Sequence, residues 1–426
     1  MFLTSAALAD TSSNSANALS DIEQTMVAQL NDREAKILAE LETHVAINTG
    51  TANIKGLDQY RGLLAAELQR LGFQTTEVSG KALAILSCEG GEINVARHLV
   101  ATKTGSKSNR ILLNGHMDTV FPITDEFQSL AVDEDGTIRG PGVADMKGGI
   151  VILLNALRVL DEHKLLNNAN LTVLFNSDEE IGSLDSKELI EQLAGEHDVG
   201  MVFESSRSNK LARARKGLGQ VRLKITGREA HAGGAHEQGV SANLELAHKV
   251  VAIEKLTDYE TKNTVNVGVI NGGEKRNTVS GCADAHIDLR YSSLVQGVHL
   301  QKSIQGIASQ QMISNPLYPN YPTTEIWSVL HRPAKQADAK VDALIAEATA
   351  ISKLVGEPIT GTFYAGGGTD GSIAQAAGLP TIDSLGVDGS DTHSSREKTT
   401  VESLMARTKL VTIMLAREIN RPRSTP

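Results

Sequence analysis

Cationic residues, aromatics, cysteines and long apolar runs are all in short supply in this sequence. Lys and Arg total 41 against 51 Asp and Glu, a formal net charge of −10. That surplus of acid disfavours a nucleic-acid backbone or an anionic membrane as the main partner. Two cysteines in 426 residues exclude a disulfide-stapled scaffold, and they form no Cys-x-x-Cys pair for zinc or redox work. Cys88 and Cys282 sit among apolar neighbours, so two buried free thiols are expected. Aromatic residues make up only 3%, and no run reaches the roughly 18 apolar residues of a membrane span. What is present in ordinary measure, 40% hydrophobic and 22% charged residues, describes a globular chain. At about 150 residues per domain it has length for two to three cores.

Residues 1–20 are small and polar around a short apolar piece, a tail or the remnant of a secretory signal. The compartment, cytoplasmic or periplasmic/secreted, stays open. Asp21 to Glu40 and Leu57 to Gly72 repeat apolar residues at helical spacing, and two surface helices are predicted, the second capped by Gly72. Apolar runs then begin at Ile111, Leu171 and Gly200, and the stretch "GGIVILLNALRVLDEH" between the first two has helical period. This alternation predicts an α/β catalytic unit with a mostly parallel sheet and helices on both faces. Ligands of such sheets gather at the carboxyl ends of the strands. Near Gly217 the pattern changes to period two, in "QVRLKITG" and "AHIDLRYS", with a helical stretch between them. Residues 217–330 are therefore expected to form a smaller α+β domain, inserted between the two parts of the catalytic domain, 21–216 and 331–426. In the second part a helix across 334–354, a strand at "ITGTFYA", a helix at "GSIAQAAG" and a strand at "TIDSLG" are expected.

The chemistry concentrates just past the predicted strands. His116 and Asp118, at i and i+2 in "NGHMDTVFP", point to one side of a strand end. Metal-bound imidazoles commonly donate their second N–H to a carboxylate or carbonyl, so this spacing suits a ligand and its orienting partner. Asp145 in "RGPGVADMKGG" stands in a glycine-rich loop before a helix, where it could cap the helix or bridge two cations. Upstream, "DEDG" lacks the final Glu of a calcium loop and reads as a hairpin turn at Asp135-Gly136. Asp178, Glu179 and Glu180 follow a strand with no cation between them. Such a run is solvated, or it is neutralised by metal, one carboxylate as ligand and its neighbour as general base. Glu204 ends a fourth run and His393 lies in a Ser-rich loop. Taken together, two His and three carboxylates suit two zinc ions sharing a bridging carboxylate. Against this stands "GGGTDG", which satisfies the Gly-x-Gly-x-x-Gly pattern of a nucleotide-binding oxidoreductase. It comes too late in the chain to open a nucleotide-binding half and reads better as a substrate-contact loop, with Gly367 and Thr369 as contacts.

These segments, "GHMDTVFP", "GPGVADMKGG", "LFNSDEEIGS", "FES", "HAGGAHEQGVSA", "GGGTD" and "SLGVDGSDTHSSRE", resemble the di-zinc aminoacylase/carboxypeptidase family of metallopeptidases, most closely its glutamate carboxypeptidase branch. The likeness runs over nearly the whole chain from Asp21. It implies one zinc on His116 and Glu204, another on Glu180 and His393, and Asp145 bridging both, with Co2+ or Mn2+ also suited to such mixed sites. It makes Glu179 the general acid/base and Asp118 the residue that orients His116, and it places a cis peptide bond at Asp145-Met146. It further implies a homodimer formed through the inserted domain, with His231 hydrogen-bonding the developing oxyanion. Asn277 and Arg290 would grip the substrate α-carboxylate, the guanidinium in bidentate fashion. Lys210 falls where the glutamate branch reads the side-chain carboxylate, although "LARARKGLG" after it departs from that branch. The expected activity is hydrolysis of the amide that joins a peptidyl or N-acyl group, folate-like conjugates included, to a C-terminal amino acid, glutamate by preference. An N-acyl-amino-acid deacylase or dipeptidase of the same family is the alternative.

Overall fold

The computed structural model describes residues 18–105 and 109–422. Most of the predicted N-terminal tail lies outside the described residues. Two sheets organise the molecule. The larger has six strands in the order Gln74–Val78, His98–Lys103, Asn170–Asn176, Arg110–His116, Val199–Val202 and Thr381–Ile382. The last four are mutually parallel, and the first two add on antiparallel at one edge.

Side chains alternate across this sheet as the period of two requires. From Arg110–His116, Ile111 and Leu113 join a core with the helices Lys147–Glu162, Ala339–Val355 and Val401–Asn420, whereas Leu112 joins Ile190, Leu193 and Ile373 on the opposite face. Both faces are thus covered. Helix Lys147–Glu162 is buried over nearly its whole surface, which explains a run of apolar residues too continuous for an amphipathic stripe. Where Gly149 passes the chain at Phe203, a Cβ would stand 2.0 Å from the Phe203 carbonyl oxygen, so only glycine permits that close packing.

The smaller sheet is wholly antiparallel, in the order Thr264–Gly272, Cys282–Tyr291, Gly217–Thr226 and Thr323–Arg332. Helices Ala242–Glu254 and Leu294–Ala308 cover one face through Val221, Leu223, Ile253, Leu300 and Ile304. It joins the rest of the chain through Lys216 and beyond Arg332, at the end of the sheet where Leu218 pairs with both Arg290 and Arg332.

Two expectations need correcting. The stretch predicted as one helix from Asp21 to Glu40 is two, Asp21–Asn31 and Glu34–Val45, and Leu30, Ile37 and Leu41 are in the core rather than at the surface. The strand expected at "ITGTFYA" is present as Gly361–Ala365, and it pairs in parallel with Lys210–Arg215, outside the large sheet. Cys88 and Cys282 are not free thiols. They are half-buried and joined as a disulfide with a Cα–Cα distance of 5.9 Å across a sequence separation of 194. Apolar neighbours suggest burial, but they carry no information about a partner so distant in the chain.

Candidate active site

Four parallel strands end at one edge of the large sheet, and each delivers part of a polar cluster there. His116 is the last residue of its strand, Asp178–Glu180 follow Asn170–Asn176, Glu204 follows Val199–Val202, and the loop after Thr381–Ile382 carries His393. Asp145 arrives from the loop before helix Lys147–Glu162, and its peptide bond to Met146 is cis. Ala144 N–H and Asp145 N–H both donate to Glu397 Oε1, at 2.8 and 3.0 Å, which fixes the loop.

The Asp145 carboxylate lies between the two histidines, with Oδ1 at 3.1 Å from His116 Nε2 and Oδ2 at 3.2 Å from His393 Nε2. Glu204 stands 3.5 Å from His116 Nε2, and Glu180 stands 3.3 Å from His393 Nε2. His116 Nδ1 meets the Asp118 carbonyl oxygen at 2.9 Å and its carboxylate at 3.4 Å. Asp118 is itself held by Thr51 Oγ1 and by the N–H groups of Glu179 and Glu180, at 2.9, 3.2 and 3.1 Å. Glu179, whose carboxylate also lies within 4.8 Å of His116 and Glu204, pairs with the buried Arg332 guanidinium at 2.6 Å.

Charge is dense and, apart from His393, mostly buried here, and protonation responds. His393 is pushed up to about 11 by the Asp145 and Glu180 carboxylates that it meets. Burial alone would depress His116, but the carboxylates of Asp118, Asp145 and Glu204 outweigh it and raise it well above the usual imidazole value. Burial raises Glu179 well above the ordinary carboxylate range against the pull of Arg332 and His116. Burial and the nearby Asp145 push Glu180 up to about 7.

A cleft of about 380 Å³ opens from this cluster. Arg290, Gly367 and Thr369 line it, as do Arg207, Arg215 and Arg332, which sequence reasoning did not single out. Arg290 holds Asp288 in a two-pronged pair, with nitrogen–oxygen distances of 2.7 and 3.0 Å. Arg215 holds the buried Asp383 likewise, at 2.7 and 3.0 Å, and Asp383 also accepts from Thr369 Oγ1 at 2.8 Å. Three predicted contacts do not line the cleft. Lys210 is exposed, at the start of the strand whose other end, Arg215, reaches the site. His231 and Asn277 lie side by side on the smaller sheet's side of the molecule, where Ala232 N–H donates to the Asn277 carbonyl at 3.0 Å. The exposed His231 accepts at Nδ1 from Gly233 and Gly234 N–H, at 3.1 and 3.0 Å. No motif marks Arg332 or Arg215, whose partners come from other elements.

A two-histidine, multi-carboxylate cluster at the carboxyl edge of a parallel sheet defines a metallohydrolase-type site. The profile of Peptidase family M20/M25/M40 matches residues 112–417, and the chain belongs to this family. It is 30% identical to carboxypeptidase G2 of Pseudomonas sp. (strain RS-16) over 369 residues, 86% of this chain and 85% of that protein. It is 28% identical to acetylornithine deacetylase of Proteus mirabilis (strain HI4320), over 61% of this chain and 67% of that one. In fold it matches an M20 family metallo-carboxypeptidase of Sulfolobus solfataricus, with a TM-score of 0.70 at 17% identity, over 90% of this chain and 99% of that one. It also matches a tripeptidase of Staphylococcus aureus, with a TM-score of 0.69 at 23% identity, over 91% and 99%. The protein is accordingly a hydrolytic enzyme of the M20 peptidase and amidohydrolase group. The GGGTDG segment does not open a nucleotide-binding unit, because its preceding strand lies outside the parallel sheet.

Proposed function

We propose that this enzyme is a di-zinc exopeptidase that releases a C-terminal amino acid, glutamate by preference, from peptidyl or N-acyl conjugates. The observation that carries the reading is Asp145, whose two carboxylate oxygens face two different histidines. The donor set fits a pair of divalent cations. Ligand atoms of His116, Asp145 and Glu180 lie within 4.8 Å of one another, as do those of His116, Glu204 and the neighbouring Glu179, so the bridging carboxylate and ligands of both cations share one small space with the general base. Glu180 Oε1 is buried with no hydrogen-bond partner, as a ligand oxygen would be. His116 and Glu204 would hold one cation, Glu180 and His393 the other, and Asp145 both. When bound, such cations polarise the scissile carbonyl and lower the pKa of water. Zinc is the expected metal, and Co2+ or Mn2+ can serve the same ligands.

The chain's own groups do the rest. Glu179 takes the proton of the attacking water and hands it to the leaving amine nitrogen, while Arg332 fixes the carboxylate that must do both. Asp118 holds His116 in one ring orientation. Arg290 offers its guanidinium to the substrate α-carboxylate from the cleft wall. His231 and Asn277 are exposed and do not line the cleft, which supports their acting on the site of a second copy. The edge strand Thr264–Gly272, with Val269 and Ile270 exposed, and Leu244 and Val251 on the adjacent helix give an apolar face for that homodimer. The disulfide supports the periplasmic or secreted alternative over a reducing cytoplasm.

The test combines Glu179→Gln with metal analysis and a substrate panel. The variant is expected to keep two metals per chain and to lose turnover by about 10²-fold or more. Retained turnover, or wild-type protein that binds no metal, would overturn the reading. N-acyl amino acids, dipeptides and a glutamate conjugate distinguish carboxypeptidase from deacylase and dipeptidase selectivity.

A further inference from the structure

Four arginines line the cleft, and three already hold a carboxylate of this chain. Arg290 pairs with Asp288, Arg215 with Asp383 and Arg332 with Glu179. Arg207 lines the same cleft, is exposed, and has no ion pair among the described residues. It is therefore the guanidinium that can meet an entering anion with no ion pair to give up, whereas the half-buried Arg290 would share its guanidinium between Asp288 and an anion.

Its position is built by the surrounding chain. Arg207 and Lys210 face each other across a bridge in which Lys210 N–H donates to the Arg207 carbonyl at 3.1 Å. The two residues between them, Ser208 and Asn209, both have left-handed backbones, with φ of 54° and 53°. A two-residue turn of this hand demands positive φ at both positions, a conformation that non-glycine residues hold only when their surroundings impose it. Here the surroundings do impose it. Asp388 Oδ1 accepts from Ser206 Oγ and from Asn209 N–H, each at 2.9 Å. Ser206 N–H donates to the Val387 carbonyl at 2.9 Å, and the buried Arg407 donates to Ser206 Oγ at 2.8 Å. The turn is thus fastened to the loop between Thr381–Ile382 and His393. Arg207 also follows Glu204 by three residues, so their Cα atoms are at most about 11 Å apart. Lys210, on the far side of the same turn, stays out of the cleft lining.

We propose that Arg207 binds the side-chain carboxylate of the substrate's C-terminal residue, in the place that family resemblance gives to Lys210. The inference rests on the carboxypeptidase reading above and names the group that selects a dicarboxylic leaving amino acid. Arg290 is left for the α-carboxylate, so the two anions of the leaving residue meet two separate guanidinium groups.

The test measures kcat and KM for an N-acyl-glutamate and the isosteric N-acyl-glutamine with wild-type enzyme, Arg207→Ala, Arg207→Lys and Lys210→Ala. Arg207→Ala should lower kcat/KM for the glutamate substrate by about 10- to 100-fold, the scale of a charge-assisted hydrogen bond, mainly through KM. Its kcat/KM for the glutamine substrate should fall far less, because a neutral amide oxygen accepts a weaker hydrogen bond than a carboxylate does, and Arg207→Lys should recover part of the loss on glutamate. Equal losses on both substrates, or loss of glutamate preference in Lys210→Ala with Arg207→Ala like wild type, would overturn the assignment. Wild type that cleaves both substrates equally overturns this inference alone. Wild type that cleaves no N-acyl or peptidyl substrate overturns the carboxypeptidase reading with it.

Discussion

The disulfide offers the sharpest quantitative test of the structure, through the paired substitution Cys88→Ser and Cys282→Ser. The two sulfurs join the segment between the short strands Ala82–Ala84 and Glu92–Asn94 to the first residue of Cys282–Tyr291 in the smaller sheet. That sheet is attached to the rest of the chain at its other end, near Leu218, Arg290 and Arg332. Cys282 pairs with Thr226, eight residues along the strand from Leu218, about 26 Å at 3.3 Å per residue. The bridge therefore fastens the free end of the sheet, beside noncovalent contacts such as Cys88 N–H to Asp284 Oδ2 at 3.1 Å. A cross-link over 194 residues removes enough denatured-chain entropy to be worth about 5 kcal/mol at 25 °C on the loop-closure relation. Native bridges usually deliver about 2–5 kcal/mol when removed. Urea unfolding of oxidised wild type and of the double variant should thus differ by a few kcal/mol. The variant should have a slightly larger m, because its unlinked denatured chain exposes more surface. Two free thiols titrating in denatured, unreduced wild type, or a double variant within about 0.5 kcal/mol of wild type, would refute the reasoning.

Three further outcomes follow from the buried charges. Arg332→Met strands Glu179 without its cation and should cost about 3–5 kcal/mol in unfolding free energy, while adding Glu179→Gln should return part of it; a double variant no more stable than Arg332→Met alone would contradict the pairing. His44 and His331 are buried and depressed to about 3, chiefly by desolvation, so the unfolded chain protonates first at its ordinary 6.5. Stability from these groups is complete above pH 6.5 and is lost as pH falls from 6.5 toward 3, by about 1.4 kcal/mol per group at pH 5.5. Urea titrations at pH 7.5 and 5.5 should show this, and His44→Gln should flatten the slope. Exhaustive chelation should abolish activity and lower Tm, since the gathered carboxylates then repel without a counter-charge, and Zn2+ should restore both; full activity after verified metal removal would exclude the metallohydrolase reading.

What the sequence reveals and what it hides divide along the range of the interactions. His116, Asp145, Glu180 and Glu204 each stand within a few residues of an apolar run or a glycine-rich loop. A strand end announces itself locally, and the α/β topology brings all such ends to one edge. The same local signals locate the helix Lys147–Glu162 and the period-two strands of the smaller sheet. Arg332 and Arg215 carry no such mark, because their meaning lies in Glu179, 153 residues away, and Asp383, 168 residues away. Neither residue type nor spacing encodes those encounters. The disulfide is the same problem over 194 residues. Lys210 and Arg207 show a subtler limit. Two residues separate the two cations, and a left-handed turn at those two, Ser208 and Asn209, with no glycine to signal it, puts one cation in the cleft and leaves the other outside. A motif can therefore carry a positive charge to the correct strand end and still mislead about which side chain delivers it, because that choice depends on the backbone hand of two intervening residues and on Asp388, which holds them.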